Sequence, residues 1–151
     1  MAYKNILVAV DRTDDAEQVI KAAQEFAEGK PRTISVVTVM WPISDYYTGY
    51  YLPDVADNGK RIEEEAKIHA TGWLSDLVKR CGIDAKTLRV AVGRPAVEIR
   101  RLAEELDVDL IVIGTHGRHG MGLMLGSTAN AVLHGTQCSV LAVRVRAEES
   151  E

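Results

Sequence analysis

The stretch GTHGRHGMGLMLGST, residues 114–128, carries five glycines (Gly114, Gly117, Gly120, Gly122 and Gly126) and ends on the hydroxyl pair Ser127 and Thr128. Glycine lets a backbone reach positive φ and approach a ligand with no Cβ in the way. Successive amide N–H groups can then turn inward and form a concave anion site. A helix beginning near Ser127 would add its unpaired N–H groups and the positive end of its dipole. Ser127 and Thr128 supply hydroxyl donors, and His116, Arg118 and His119 supply cationic partners. The chemistry that suits this set is a grip on phosphate. The alternative is a flexible connection ending in a helix capped by Ser127.

Sharper motifs are absent. No GK[ST] follows the glycines, so there is no P-loop lysine. The run Gly120-x-Gly122-x-x-x-Gly126 follows the fourth expected strand rather than the first, and no acidic residue ends the fifth strand to hold a ribose, which argues against a dinucleotide fold. Without a GxSxG elbow, Ser127 lacks the setting of a hydrolase nucleophile. His116 and His119 stand three apart with no further ligand nearby, so no metal site is expected. Phosphoryl transfer needs a metal held by carboxylates, and 114–128 contains neither Asp nor Glu. No catalytic residue is expected.

The elements that must position this stretch alternate in type. KNILVAV (4–10) reads as a strand buried on both faces and is bounded by Asp11. Ala16, Val19, Ile20, Ala23, Phe26 and Ala27 form one helical stripe, with Thr13 or Asp14 as its cap and Gly29 and Pro31 beyond its end. TISVVTVM (33–40) is the second strand. Residues 41–59 have loop chemistry, with two prolines, two glycines and Tyr46, Tyr47, Tyr50 and Tyr51. These tyrosines either pack over the next helix or form a partner surface. That helix runs from about 60 to 81 with Ile62, Ala66, Ala70, Trp73 and Leu77 on one face, and Gly82 stops it. TLRVAV (87–92) is strand three, and Pro95 opens a helix bearing Ile99, Leu102, Ala103 and Leu106. DLIVIG (109–114) is strand four, STANAVLHG (127–135) a short helix, and SVLAVRV (139–145) strand five. Trp41 and Trp73 are expected to be partly buried, and His69 and His134 solvent-facing on helices. Strands joined by helical crossovers make a single-domain Rossmann-like α/β fold, a five-stranded parallel sheet in the order 3-2-1-4-5 with helices on both faces. Asp11 and Gly114 then end adjacent strands at the switch point where such sheets bind ligands.

Composition suits one compact domain, 1–146, followed by an acidic tail, 147–151. The net charge of −4 and pI near 5.6 argue against nucleic acid or an anionic membrane as partner. Cys81 and Cys138 are widely separated, as unpaired thiols in a reducing compartment would be. The N-terminus lacks a signal-peptide pattern and no apolar run reaches the roughly 20 residues of a membrane helix, so a cytoplasmic location is expected.

The chain resembles the universal stress protein family, and most closely its universal stress protein A branch. The resemblance is carried by MAYKNILVAVD, SDYYTGY (44–50), VGRPAVEIRRLAEELDVDLIVIGTHG (92–117), and GSTANAVL with SVLAVRV, and it spans residue 2 to about 146. It implies a homodimer in which last strands (residues 139–145) pair. It also implies the glycine pattern G-x2-G-x9-G-(S/T) for ATP or AMP, met by Gly114, Gly117, Gly126 and Ser127. The interval here, Arg118 to Leu125, has eight residues instead of nine. The nucleotide-binding set carried over is Val10, Asp11, Val39, Gly114, Thr115, His116, Gly117, Arg118, Gly126, Ser127 and Thr128. Asp11 matches the acidic residue near adenine and ribose, and Val39 the backbone position facing the adenine edge. Ser127 and Thr128 match positions that the family can phosphorylate. The expected function is an adenine-nucleotide-binding stress sensor or regulator, with or without Mg, whose ATP hydrolysis or autophosphorylation is at most slow and incidental. The alternative is a dimeric stress protein with a vestigial pocket, acting through protein contacts.

Overall fold

The computed structural model describes residues 3–43, 53–115 and 125–146, and of 53–57 the backbone alone. Strands and helices alternate along it: β1 (Asn5–Ala9), α1 (Ala16–Ala27), β2 (Thr33–Met40), α2 (Pro53–Cys81), β3 (Ala85–Val92), α3 (Pro95–Glu105), β4 (Leu110–Gly114), α4 (Ser127–Gly135) and β5 (Ser139–Val143). All four strand pairings are parallel and the order is β3-β2-β1-β4-β5, as the alternation of elements predicts.

Because β1 lies at the centre, helices cover both its faces, and every position after Asn5, from Ile6 to Ala9, is apolar and buried. Ile6 and Val8 join Val19, Ile20, Ala23, Leu74 and Leu77 of α1 and α2. Leu7 and Ala9 turn the other way, to Ile99, Leu102, Ala129 and Val132 of α3 and α4. Ile6, Leu7 and Val8 are at most 1% exposed, and burying each such side chain contributes about 1.5–3 kcal/mol. The unbroken apolar run in the sequence is this two-sided burial. Gly29 and Gly82 end α1 and α2 in the left-handed region (φ 70° and 66°), where a side chain would be strained.

Several expectations are corrected. The residue ahead of α1 is Asp15, and no side chain caps the helix, so neither Thr13 nor Asp14 serves. Instead the Thr13 carbonyl accepts from Ala16 N at 3.2 Å. α2 begins at Pro53, several residues before the expected start. Proline suits a first turn, and Gly59 is carried inside the helix at a cost of about 1 kcal/mol. Ile62 lies 46% exposed; the buried face of α2 starts at Ala70 and continues through Leu74, Leu77 and Val78. β3 begins at Ala85, with a register shift against β2 between Ile34 and Ser35 that leaves Lys86 unpaired. β1 and β4 are each shorter than expected, and β5 ends at Val143, not residue 145. Past that point Val145 is buried against α1, and Gln18 clasps Arg146 by two bonds (Nε2 to O, 2.9 Å; N to Oε1, 3.2 Å). Trp41 is 48% exposed, whereas Trp73 packs on the core with the Arg12 guanidinium 5.7 Å above its ring. His69 and His134 are exposed, as expected. Among the described residues no helix is long and apolar enough to cross a membrane.

Candidate functional site

β1 and β4 run side by side, with Ala9 opposite Ile113. Two further steps of that register bring Asp11 level with Thr115, on strands about 4.8 Å apart. The carboxyl ends of the two central strands therefore meet where the connections diverge, β1 toward α1 and β4 toward α4. Val10 is buried and donates its N–H to Val37 O at 2.9 Å, which holds the end of β1 against β2. Asp11 is exposed, and its carbonyl accepts from Thr13 N at 2.8 Å. Val39, half-buried near the end of β2, packs on the α3–α4 side of the sheet.

Thr115 connects three elements. Its N–H donates to Val143 O of β5 at 2.9 Å, and its carbonyl accepts from Gly126 N at 2.6 Å. Its side-chain Oγ1 is shut off from solvent and has no hydrogen-bond partner among the described residues. Gly126 stands at the N-cap of α4, in an extended conformation (φ −60°, ψ 155°) open to any residue, and no side chain caps the helix. Ser127, expected to cap if the stretch were only a connection, is instead the first helical residue and is exposed. A positive φ is therefore not what calls for a glycine at 126. The first bond closing α4 runs from Asn130 N to Gly126 O at 2.9 Å. The amides of Ser127, Thr128 and Ala129 lie ahead of it, at the positive end of the helix dipole.

The structure thus brings together Val10, Asp11, Gly114, Thr115, Gly126, Ser127 and Thr128, with Val39 one strand away. His116, Gly117 and Arg118 lie outside the described residues, as do His119, Gly120, Gly122, the four loop tyrosines and the tail 147–151. Among the described residues no three His, Cys, Asp or Glu side chains are grouped as a metal would require. Cys81 and Cys138 are free and half-buried. Two clefts stand away from the seam. One, of about 330 Å³, follows the outer edge of β3 between Glu63, Lys67, Arg89 and Arg101. The other lies among Lys21, Glu25, Arg32 and Asp84. Each mixes charges of both signs, and in the first Arg89 and Arg101 are already paired with Glu105 and Glu98.

Sequence reasoning missed Asp109. Its carboxylate accepts Lys4 N at 2.8 Å and Asn5 N at 3.1 Å, joining the starts of β4 and β1 at the end of the sheet opposite the seam. Its partners are a hundred residues away, and no local pattern marks it.

The Universal stress protein family profile matches residues 2–144. Universal stress protein A homolog 1 of Coxiella burnetii is 40% identical over 144 residues, covering 95% of this chain and 97% of the relative. Universal stress protein A homolog 2 of the same organism is 34% identical over 145 residues, with the same coverage. Among solved structures, hypothetical protein MJ0577 superposes with a TM-score of 0.81 at 24% identity, covering 97% of this chain and 99% of that one. A universal stress protein in complex with cAMP gives 0.66 at 23%, covering 95% and 98%. The universal stress protein from Archaeoglobus fulgidus in complex with dAMP gives 0.58 at 25%, covering 94% and 98%.

Proposed function

As a member of the universal stress protein family, the chain, we propose, binds an adenine nucleotide, ATP or AMP, at the seam between β1 and β4 and acts as a stress-response sensor or regulator without efficient catalysis. The observation that carries this reading is the uncapped start of α4, whose leading amides stand beside the carboxyl ends of the two central strands. The dAMP complex of the Archaeoglobus relative supports the ligand class. The residues in reach contribute positioning and hydrogen-bond donors: Ser127 and Thr128 at the helix start, Asp11 and Val39 toward the nucleoside. Asp11 is the one carboxylate placed at the seam among the described residues, too few to hold Mg in the manner of a phosphoryl-transfer site.

Self-association belongs to the same reading, through β5. The two outer edges of the sheet differ: β3 carries Lys86 and Arg89 and is flanked by Glu63, Glu64 and Lys67, charges that discourage strand pairing. β5, SVLAV, carries none, and Val140, Leu141 and Val143 are only half-buried. A twofold dimer would pair β5 with its copy in antiparallel fashion. Two free thiols fit a cytoplasmic setting.

Protein purified without dialysis is expected to release an adenine nucleotide in native mass spectrometry. At a ligand concentration a hundred times Kd, stabilisation of about 2.7 kcal/mol raises the melting temperature by roughly 5–10 °C. Gly126→Asp, which sets a carboxylate at the anion seat, should abolish both signals. No co-purifying nucleotide and no thermal shift would establish the vestigial-pocket reading, which the eight-residue interval between Gly117 and Gly126 favours. Steady Mg-dependent turnover lost in Asp11→Asn would make the protein an enzyme.

A further inference from the structure

We propose that the outer edge of β3 is a docking groove for an extended, basic segment of another protein, which joins the five-stranded sheet as a further strand. β3 ends the sheet on its side, and among the described residues no strand pairs with its outer edge. The direction of its backbone follows from one bond, in which Gly93 N donates to Met40 O of β2 at 2.8 Å. Main-chain groups of successive strand residues point to opposite sides, so those of Val92, Val90 and Leu88 turn away from β2. Val90 and Val92 line the cleft of about 330 Å³ between α2 and α3. The open backbone groups therefore lie along a walled groove. Strand addition takes its affinity from main-chain bonds and its selectivity from the walls.

The walls specify charge. On the α3 side Arg101 is bonded to Glu98 and Glu105, and Arg89 to Glu105, so that wall is satisfied within itself. On the α2 side Glu63 accepts Ile43 N at 3.4 Å, and among the described residues neither Glu64 nor Lys67 has an ion pair. Two carboxylates against one ammonium are left to be matched, which a Lys or Arg on the incoming strand does. Four residues on from Glu64, Ile68 is 68% exposed, and Leu88, two before Val90 on the same face of β3, is 37% exposed. An apolar side chain of the same segment has its place there. The charges that turn away a second copy's apolar edge are thus the ones that select a basic strand.

The probe is a fluorescein-labelled hexapeptide of alternating lysine and valine, read by fluorescence anisotropy against the full chain, with the glutamate–valine counterpart beside it. The lysine peptide should bind and the glutamate peptide should not. N-methylation of every second peptide residue removes the donors along one edge of the strand. One of the two alternate patterns should weaken binding about tenfold or more, and the other leave it nearly unchanged, because a single edge of the peptide meets β3. Glu64→Lys, at an exposed position, should weaken binding about fivefold. Hydrogen exchange should slow at the amides of Leu88, Val90 and Val92 when the peptide is added. Binding that survives both N-methyl patterns is a loose attraction between charges and overturns the proposal. Equal binding by wild type and Glu64→Lys overturns it too, since the peptide then sits elsewhere, β5 included. A glutamate peptide bound as tightly as the lysine one overturns the charge assignment. Self-association of the wild type that Glu64→Lys abolishes gives the edge to a second copy and overturns the peptide reading. No binding of the lysine peptide refutes the proposal outright, and none of these results bears on the nucleotide reading at the seam.

Discussion

Removing the Asp109 carboxylate tests how the sheet keeps its central strands in register. The two oxygens each accept one main-chain N–H, from Lys4 at 2.8 Å and Asn5 at 3.1 Å. Asp109 also exchanges main-chain bonds with its neighbours, donating to Asn5 O at 3.0 Å and accepting from Ser139 N at 3.3 Å. Hydrogen bonds to a charged group contribute about 1.5–3 kcal/mol each. One of the two is solvent-exposed and the other partly buried, so the lower end applies and Asp109→Ala should cost about 3 kcal/mol. For a domain of this size that lowers the melting temperature by roughly 6–12 °C. Asp109→Asn keeps one acceptor oxygen but turns an NH₂ toward a second donor, so it should cost about 2 kcal/mol. The assay is equilibrium unfolding in urea, with the midpoint falling and the m-value unchanged. Nucleotide response of the folded variant should be preserved, because the substitution sits at the opposite end of the strands from the seam. An alanine variant within about 0.5 kcal/mol of wild type would refute the reasoning, as would an asparagine variant costlier than alanine.

Two other outcomes are expected. Ala142→Asp, a charge placed on the exposed position of β5, should convert a dimer to a folded monomer in sedimentation velocity; a wild type that is monomeric at tens of micromolar removes the β5 interface. Burial, with Glu17 nearby, raises the Cys81 thiol above its ordinary pKa against the weaker opposing pull of Lys21 and Arg80. At pH 8 its alkylation by iodoacetamide should be slower in folded than in urea-unfolded protein, and stability should fall as pH climbs from the ordinary thiol pKa through the raised one. Equal rates would contradict this.

Strand order was legible because it follows from local signals: five apolar runs, each separated by a helical period or a turn, leave a parallel sheet as the arrangement that buries them. The seam followed from the same logic, since Asp11 and Gly114 end strands that the order makes adjacent. What escaped is of two kinds. Asp109, and Gln18 with its grip on Arg146, act across 104 to 128 residues of sequence, where no periodicity operates. The start of α2 was hidden by composition, because Pro53 and Gly59 read as loop residues although a first-turn proline and one interior glycine are compatible with a helix. Ile62 fits the helical spacing but lies ahead of Ala70, where the helix first presses on the sheet. Thr115 was legible as a position in a motif, but not as a residue bonded to both β5 and Gly126.

The placement of β1 has a consequence during synthesis. Its partner on one side, β2, follows within thirty residues, but β4 begins 105 residues after Asn5. At roughly 5–20 residues per second, the ribosome takes about 5–20 s to deliver the strand that covers the other side. Over that interval the nascent chain carries NILVA, four of its five side chains apolar, with one row of backbone groups unpaired. The first half of the chain is therefore the part that needs shielding from other nascent chains, and release from that need coincides with the arrival of residues 110–114 and, directly behind them, the glycine segment.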